Sequence, residues 1–114
     1  MFPRERRLRR YRDIQLVLRR GHMVRVPGLS LRYRRTNAVA YPRATVVVGT
    51  VVAKRATVRN RLKRHLRQLL VRDLNNIKGG FDFMLTAHPP ILTLPIARRR
   101  ILLQELLRRA RLNS

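Results

Sequence analysis

The sequence predicts one small α+β domain, an α-β sandwich in which a single sheet is packed by helices in the order α-β-β-α-β-α. Three observations carry this expectation. The chain has 114 residues, 45% of them apolar, enough for one modest core. Segments of helical periodicity alternate with segments of period two. No repeat and no long linker divides residues 1–114, so strands and helices share that core as a single domain.

Residues 1–10 are mostly Arg and read as a basic, frayed lead-in. From Tyr11 to Arg20, Ile14, Val17 and Leu18 fall at helical spacing. Asp13 stands in the first turn, Arg19 and Arg20 in the last, and Gly21 just beyond, all suited to the helix dipole. From Val24 to Arg34 the pattern changes. Leu29, Leu31 and Tyr33 alternate with Ser30, Arg32 and Arg34, as in a strand with a basic outer face, and Pro27-Gly28 predicts a bulge or bend near its start. Residues 36–42 read as a loop. Thr45 to Val52 is almost wholly β-branched, which predicts a strand buried on both faces or nearly so.

Val58 to Leu70 is the strongest helix. Val58, Leu62, Leu66 and Leu69 form its apolar stripe, Leu70 lies at the edge, and Thr57 is placed to cap it. Residues 74–80 end in Gly79-Gly80 and read as a turn. Phe81, Phe83, Leu85 and Ala87 then alternate with polar or flexible residues as a third strand, stopped by Pro89 and Pro90. Thr93 caps a closing helix with Pro95 in its first turn and Ile96, Leu103, Leu106 and Leu107 on its apolar side.

Charge narrows the function. The chain carries 28 Lys and Arg against five acids, a net charge of +23 at pH 7. Self-repulsion on that scale opposes a compact state unless a polyanion neutralises it, so nucleic acid is the expected partner. The 25:3 ratio of Arg to Lys suits phosphate gripping and base stacking. GC-rich coding explains that ratio equally well, but it does not explain the net charge. The absence of Cys excludes disulfides, thiolate metal sites and thiol nucleophiles, and points to a reducing cytoplasm. No apolar run nears the ~18 residues that span a bilayer, and the charged first twelve residues do not read as a secretory signal.

The densest feature is the run from Lys54 to Arg67, with seven cations in fourteen residues. Arg59, Lys63 and Arg67 repeat at i, i+4 and i+8, flanked by Asn60 and Arg64. Like charges at that spacing weaken an isolated helix. A merely solvated face would mix signs; this one does not, and a phosphate backbone would relieve the repulsion. Asn60 adds an amide that can read a ribose hydroxyl or a base edge.

The stretch Ala56-Thr57-Val58-Arg59-Asn60-Arg61-Leu62-Lys63-Arg64, followed by Arg67, resembles the Arg-Asn-Arg signature of the bacterial ribonuclease P protein component. Leu8 to Gln15 and Arg20-Gly21 resemble that family's opening helix, Phe81 to Pro89 its late strand, and Leu94 to Ala110 its closing helix. The resemblance implies a left-handed βαβ crossover, which general chain-path rules would not suggest. It implies a protein subunit that binds a catalytic RNA and the 5′ leader of precursor tRNA. The RNA would cut the leader with magnesium of its own, no cofactor would be held by protein side chains, and no membrane or protein partner would be required. Lys54, Arg55, Arg59, Asn60, Arg61, Lys63, Arg64 and Arg67 would contact the catalytic RNA. Arg12, Ile14, Leu18, Arg19, Leu31, Arg32 and Tyr33 would line the leader cleft, with Tyr33 stacking on bases. The chain departs from the family where a Ser-Lys-Lys run is usual, since Gly49-Thr50-Val51-Val52 stands there. It also departs where Ile14 and Leu18 replace opening-helix aromatics, and where Tyr11 replaces a Ser-like cap.

No catalytic site made wholly of protein is visible. His22, His65 and His88 are scattered, and Glu5, Asp13, Asp73, Asp82 and Glu105 are too dispersed for an acid/base pair or a carboxylate cage. A structural RNA binder of ribosomal type is the alternative, since it too would need the charge and the basic helix. A cationic membrane-surface protein is a weaker third reading. The Arg-rich closing helix permits it, while the β-rich middle and the absence of Trp argue against it.

Overall fold

The computed structural model describes residues 4–112. Helix α1 spans Tyr11–Arg20, strands β1, β2 and β3 span His22–Val26, Leu29–Arg35 and Pro42–Val47, helix α2 spans Ala56–Leu74, strand β4 spans Phe81–Ala87 and helix α3 spans Ile96–Leu112. The sheet runs β1-β2-β4-β3. Its first two pairings are antiparallel and β3 lies parallel to β4, so β3-α2-β4 is a βαβ unit joining neighbouring strands. The architecture is the expected α+β sandwich.

Strand parity settles which residues enter the core. Leu29, Leu31 and Tyr33 stand opposite Ala87, Leu85 and Phe83, and Ala44 and Val46 stand opposite Phe83 and Leu85. These share one face of the sheet and form one core with Leu62, Leu66, Leu70 and Leu74 of α2 and Leu102, Leu103, Leu106, Leu107 and Ala110 of α3. The opposite face carries Arg32, Arg34, Arg43, Asp82 and Met84, and α1 lies on that side. Arg43 donates to both carboxylate oxygens of Asp82, at 2.8 and 2.9 Å, and to Asp13 of α1 at 3.3 Å. Two layers of helix therefore sandwich the sheet, with α1 alone on the polar side.

Several boundaries depart from the sequence reading. The single interrupted strand over residues 24–34 is a hairpin, with Pro27-Gly28 as its two-residue turn between the paired Val26 and Leu29. Gly28 has φ of +84°, a conformation that costs glycine little, and Pro27 presets the preceding turn position. The strand expected over residues 45–52 runs instead from Pro42 to Val47. Its ladder is with β4, and β4 ends at Ala87, one residue past the partner of Val47, so the residues beyond Val48 have no strand beside them. It is not buried on both faces: Pro42, Ala44 and Val46 are buried, while Val47 is 39% exposed. Pro42 is tolerated at the strand's first position, where no ladder donor is needed.

Residues 4–10 are not a loose lead-in. Arg4–Arg6 form a 3-10 turn, Arg7 bridges to Ala44 in parallel fashion, and the Leu8 N–H donates to the Ala44 carbonyl at 2.9 Å. Leu8 is buried, so this segment covers the outer edge of β3. Residues 1–3 lie outside the described residues. Helix α2 starts earlier and ends later than its apolar stripe suggested, so Thr57 sits in its first turn and Arg55 occupies the cap without a side-chain bond. Thr93 ends a 3-10 turn over Pro89–Thr93, bonding back to the Pro90 carbonyl, and does not cap α3. Ile96 is 64% exposed and stays outside the apolar side of α3.

Candidate nucleic-acid interface

The N-terminal half of α2 carries the run of cations. Leu62, Leu66, Leu70 and Leu74 recur every four residues and pin one side of the helix to the core. The remaining sides present Asn60, Arg61, Arg64 and Arg67 exposed and Lys63 partly so, with Lys54 and Arg55 exposed in the approach to the helix. No acid stands in the first turn of α2. Among the described residues, the ion pairs of Asp13, Asp82 and Glu105 are to Arg43, Arg108 and Arg109, none of them in this run. The positive end of the α2 dipole adds to the same field. A chain end of this kind attracts phosphate.

Arg59 differs from its neighbours. Its Nη1 donates to the carbonyls of Ala53 and Lys54, at 3.0 and 2.7 Å, folding the guanidinium back against the loop. Arg59 thus staples the loop to the helix start and stiffens the backbone that presents Lys54 and Arg55. His65 is turned to a structural task as well. Arg99 of α3 donates to its Nδ1 at 3.0 Å, which ties α2 to α3. Burial, with the nearby Arg99 charge, holds the His65 pKa below the ordinary 6.5. His88 bonds Ser30 and His22 lies against Tyr33.

The expected leader cleft divides between the two faces of the sheet. Ile14 is half-buried on α1, Leu18 is 41% exposed, and Arg12 and Arg19 are exposed. Arg32 is half-buried on the α1 side. Leu31 and Tyr33 are on the other side, 0% and 1% exposed, inside the core under α2 and α3. They are corrected accordingly: adjacent strand residues point to opposite faces, so a cleft that includes Arg32 excludes them. Tyr33 is a core aromatic and offers no open ring to a base. The residues that share the face of Arg32 are those registered beside it. Met23, Arg32, Met84 and Thr45 form one row across the four strands. Arg25, Ser30, Thr86 and Val47 form the next. Sequence reasoning passed over Met23, Met84, Thr45 and Thr86; parity with Asp82 marks Met84 and Thr86 as its face-mates on β4, and the cross-strand register adds Met23 and Thr45.

The profile of the ribonuclease P family, described as "Ribonuclease P", matches residues 2–111. The chain belongs to the ribonuclease P protein family. A ribonuclease P protein component from a Pseudanabaena species is 36% identical over 86 residues, covering 75% of this chain and 74% of that protein. The Thermotoga maritima ribonuclease P protein superposes with a TM-score of 0.77 at 29% identity, over 90% of this chain and 96% of that one. The Staphylococcus aureus protein reaches a TM-score of 0.83 at 20% identity, over 92% and 94%, and speaks for the fold alone. These likenesses support a protein component of ribonuclease P, with RNA binding and tRNA processing as its task and the ribonuclease P RNA as its partner. They do not support the ribosomal alternative. No helix among the described residues is long and apolar enough to cross a membrane.

Proposed function

We propose that the chain grips its catalytic RNA through the N-terminal half of α2, and that it lays the 5′ leader of precursor tRNA across the sheet face beneath α1. The observation that carries the first part is the acid-free cationic surface from Lys54 to Arg67 at a helix N-terminus. The second part rests on the clamp by which Arg43 holds α1 above the Met23–Arg32–Met84–Thr45 row. This floor has sulfur and hydroxyl groups where a base-stacking cleft would have rings. Leader grip therefore comes from Arg12, Arg19 and Arg32 on phosphates and from thioether packing against base edges and ribose. Base identity matters little to such a surface, because methionine adapts its shape to whatever it meets.

Magnesium belongs to the RNA in this proposal. Asp13 and Asp82 are committed to Arg43, and Glu105 to Arg108 and Arg109, so those carboxylates are engaged elsewhere. The chain supplies positive charge, which lowers the concentration of free magnesium the RNA needs to fold and hold substrate. It works in the cytoplasm, where its RNA partner is made. The test is affinity of the assembled enzyme for leader-bearing and mature tRNA. The reading expects a preference for the leader-bearing form that falls when Met84 and Arg32 are both replaced by Ala. An equal affinity for both tRNAs in the wild type would remove the leader cleft from the account.

A further inference from the structure

The far end of α2 holds a second concave surface that the RNA-contact helix does not use. A cavity of about 450 Å³ opens between the C-terminal ends of α2 and α3, bordered by Asp73, Asn76, Ile77, Gln104, Leu107 and Arg108. A neighbouring cavity of about 400 Å³ continues it toward Arg35, Lys78 and Phe81, and the two share Asn76, Ile77 and Arg111. Measured along the helix, Arg59 is about 21 Å and Arg67 about 9 Å from Asp73, so this groove lies beyond the last cation of that run.

Its chemistry is layered. Ile77 and Leu107, both almost fully buried, form an apolar floor. Asn76 and Gln104 are exposed at its sides and can donate and accept hydrogen bonds. Asp73 is half-buried and supplies an acceptor for a ligand edge that carries N–H groups. Lys78 and Arg35 stand exposed at the rim, where they suit a phosphate, and Arg108 nearby is held by Glu105. An apolar floor, amides and a carboxylate at the edges, and cations outside are the elements that hold an unstacked nucleotide. The volume fits a base with its sugar.

We propose that this groove binds a single unstacked nucleotide of RNA, with guanine the favoured base. Guanine presents N1–H and N2–H₂ side by side, a donor pair that matches one carboxylate. Uracil has no amino group and lacks that match. The phosphate and ribose lie toward Lys78 and Arg35, and charge complementarity between the rim and the RNA backbone selects this occupant. The proposal rests on the reading of the chain as an RNA-binding subunit, and it adds a contact at the opposite end of the domain.

The test uses the full chain and GMP, UMP and inorganic phosphate as probes, read by the methyl NMR signals of Ile77 and Leu107. GMP should shift both signals in a saturable manner, at least fivefold more tightly than UMP, and phosphate should leave them in place. Gln104→Trp fills the groove mouth from an exposed position without altering net charge, and should weaken GMP there at least tenfold. Lys54→Ala with Arg55→Ala removes two exposed charges ahead of the helix start, at the other end, and should leave the GMP shifts intact. Equal effects of UMP or phosphate would overturn the proposal. So would undiminished GMP binding in Gln104→Trp, or loss of the shifts in the Lys54→Ala, Arg55→Ala variant.

Discussion

Arg43→Ala tests how α1 is held over the sheet. The Arg43 and Asp82 side chains are 12% and 3% exposed, and two of the guanidinium nitrogens bond the two Asp82 oxygens. Removing the arginine strands a carboxylate in a site that water barely reaches. Breaking a buried pair from one side costs about 3–5 kcal/mol, against a total stability of roughly 5–15 kcal/mol for a domain. Asp13 is 20% exposed and makes one longer contact, 3.3 Å. Asp13→Ala should therefore cost only about 1 kcal/mol, the worth of one ordinary hydrogen bond. Arg43→Met combined with Asp82→Leu removes both charges and should recover most of the loss, since an apolar pair of similar size often replaces a buried ion pair without penalty. Urea unfolding followed by circular dichroism measures all four proteins, with midpoints compared at a common slope. If Arg43→Ala lost no more than Asp13→Ala, or if the double variant were the least stable, stranding of the buried Asp82 carboxylate would not be what sets the cost.

Other expectations follow from the same geometry. Tyr33→Leu should lower stability by about 1–3 kcal/mol, as a misfit in a packed core does, and leave the ratio of precursor to mature tRNA affinity unchanged; a selective loss of precursor binding would place its ring in the cleft after all. Because the folded His65 pKa lies below 6.5, the unfolded chain takes up a proton that the folded chain refuses, so this group removes stability as pH falls below about 6.5. His65→Gln keeps an acceptor for Arg99 and should lose less stability than wild type between pH 7.5 and 5.5; parallel curves would show that His65 does not titrate into this contact. With about six phosphates neutralised, log affinity for the catalytic RNA should fall against log salt with a slope near −5, using the duplex value as an upper guide; a flat dependence would point to base-edge recognition.

The sequence was most legible where one period dominated. Tyr11–Arg20 forms α1 with the expected bounds, and the alternation of Phe81, Phe83, Leu85 and Ala87 marks a strand whose apolar side is buried. Val48 and Val52 misled because β-branched residues suit a strand only where a partner exists, and β4 ends too soon to supply one. Asp82 reads as an outward strand residue, and its burial depends on Arg43, thirty-nine positions away. The same non-local logic hid the floor of the proposed cleft. An aromatic beside Arg32 suggested stacking, but only cross-strand register shows that Tyr33 shares its side with Leu85 and Leu66, and that Met23 and Met84 share theirs with Arg32. Along Lys54–Arg67 the composition alone located the surface. The turning back of Arg59 onto the Ala53 and Lys54 carbonyls was not readable, because backbone acceptors leave no mark in a sequence.

In the proposed role, this chain serves the ribonuclease P RNA through the cationic run Lys54–Arg67. The most direct measurement is the rate of leader removal from precursor tRNA by a bacterial ribonuclease P RNA at low magnesium. It would be made with no protein, with the wild-type chain, and with the Lys63→Ala, Arg67→Ala variant at equal concentration. The proposed role leads to strong stimulation by the wild type, stimulation reduced at least tenfold at subsaturating protein by the variant, and equal unfolding midpoints for the two proteins. No stimulation by a folded wild-type chain, or full stimulation by the variant, would contradict it.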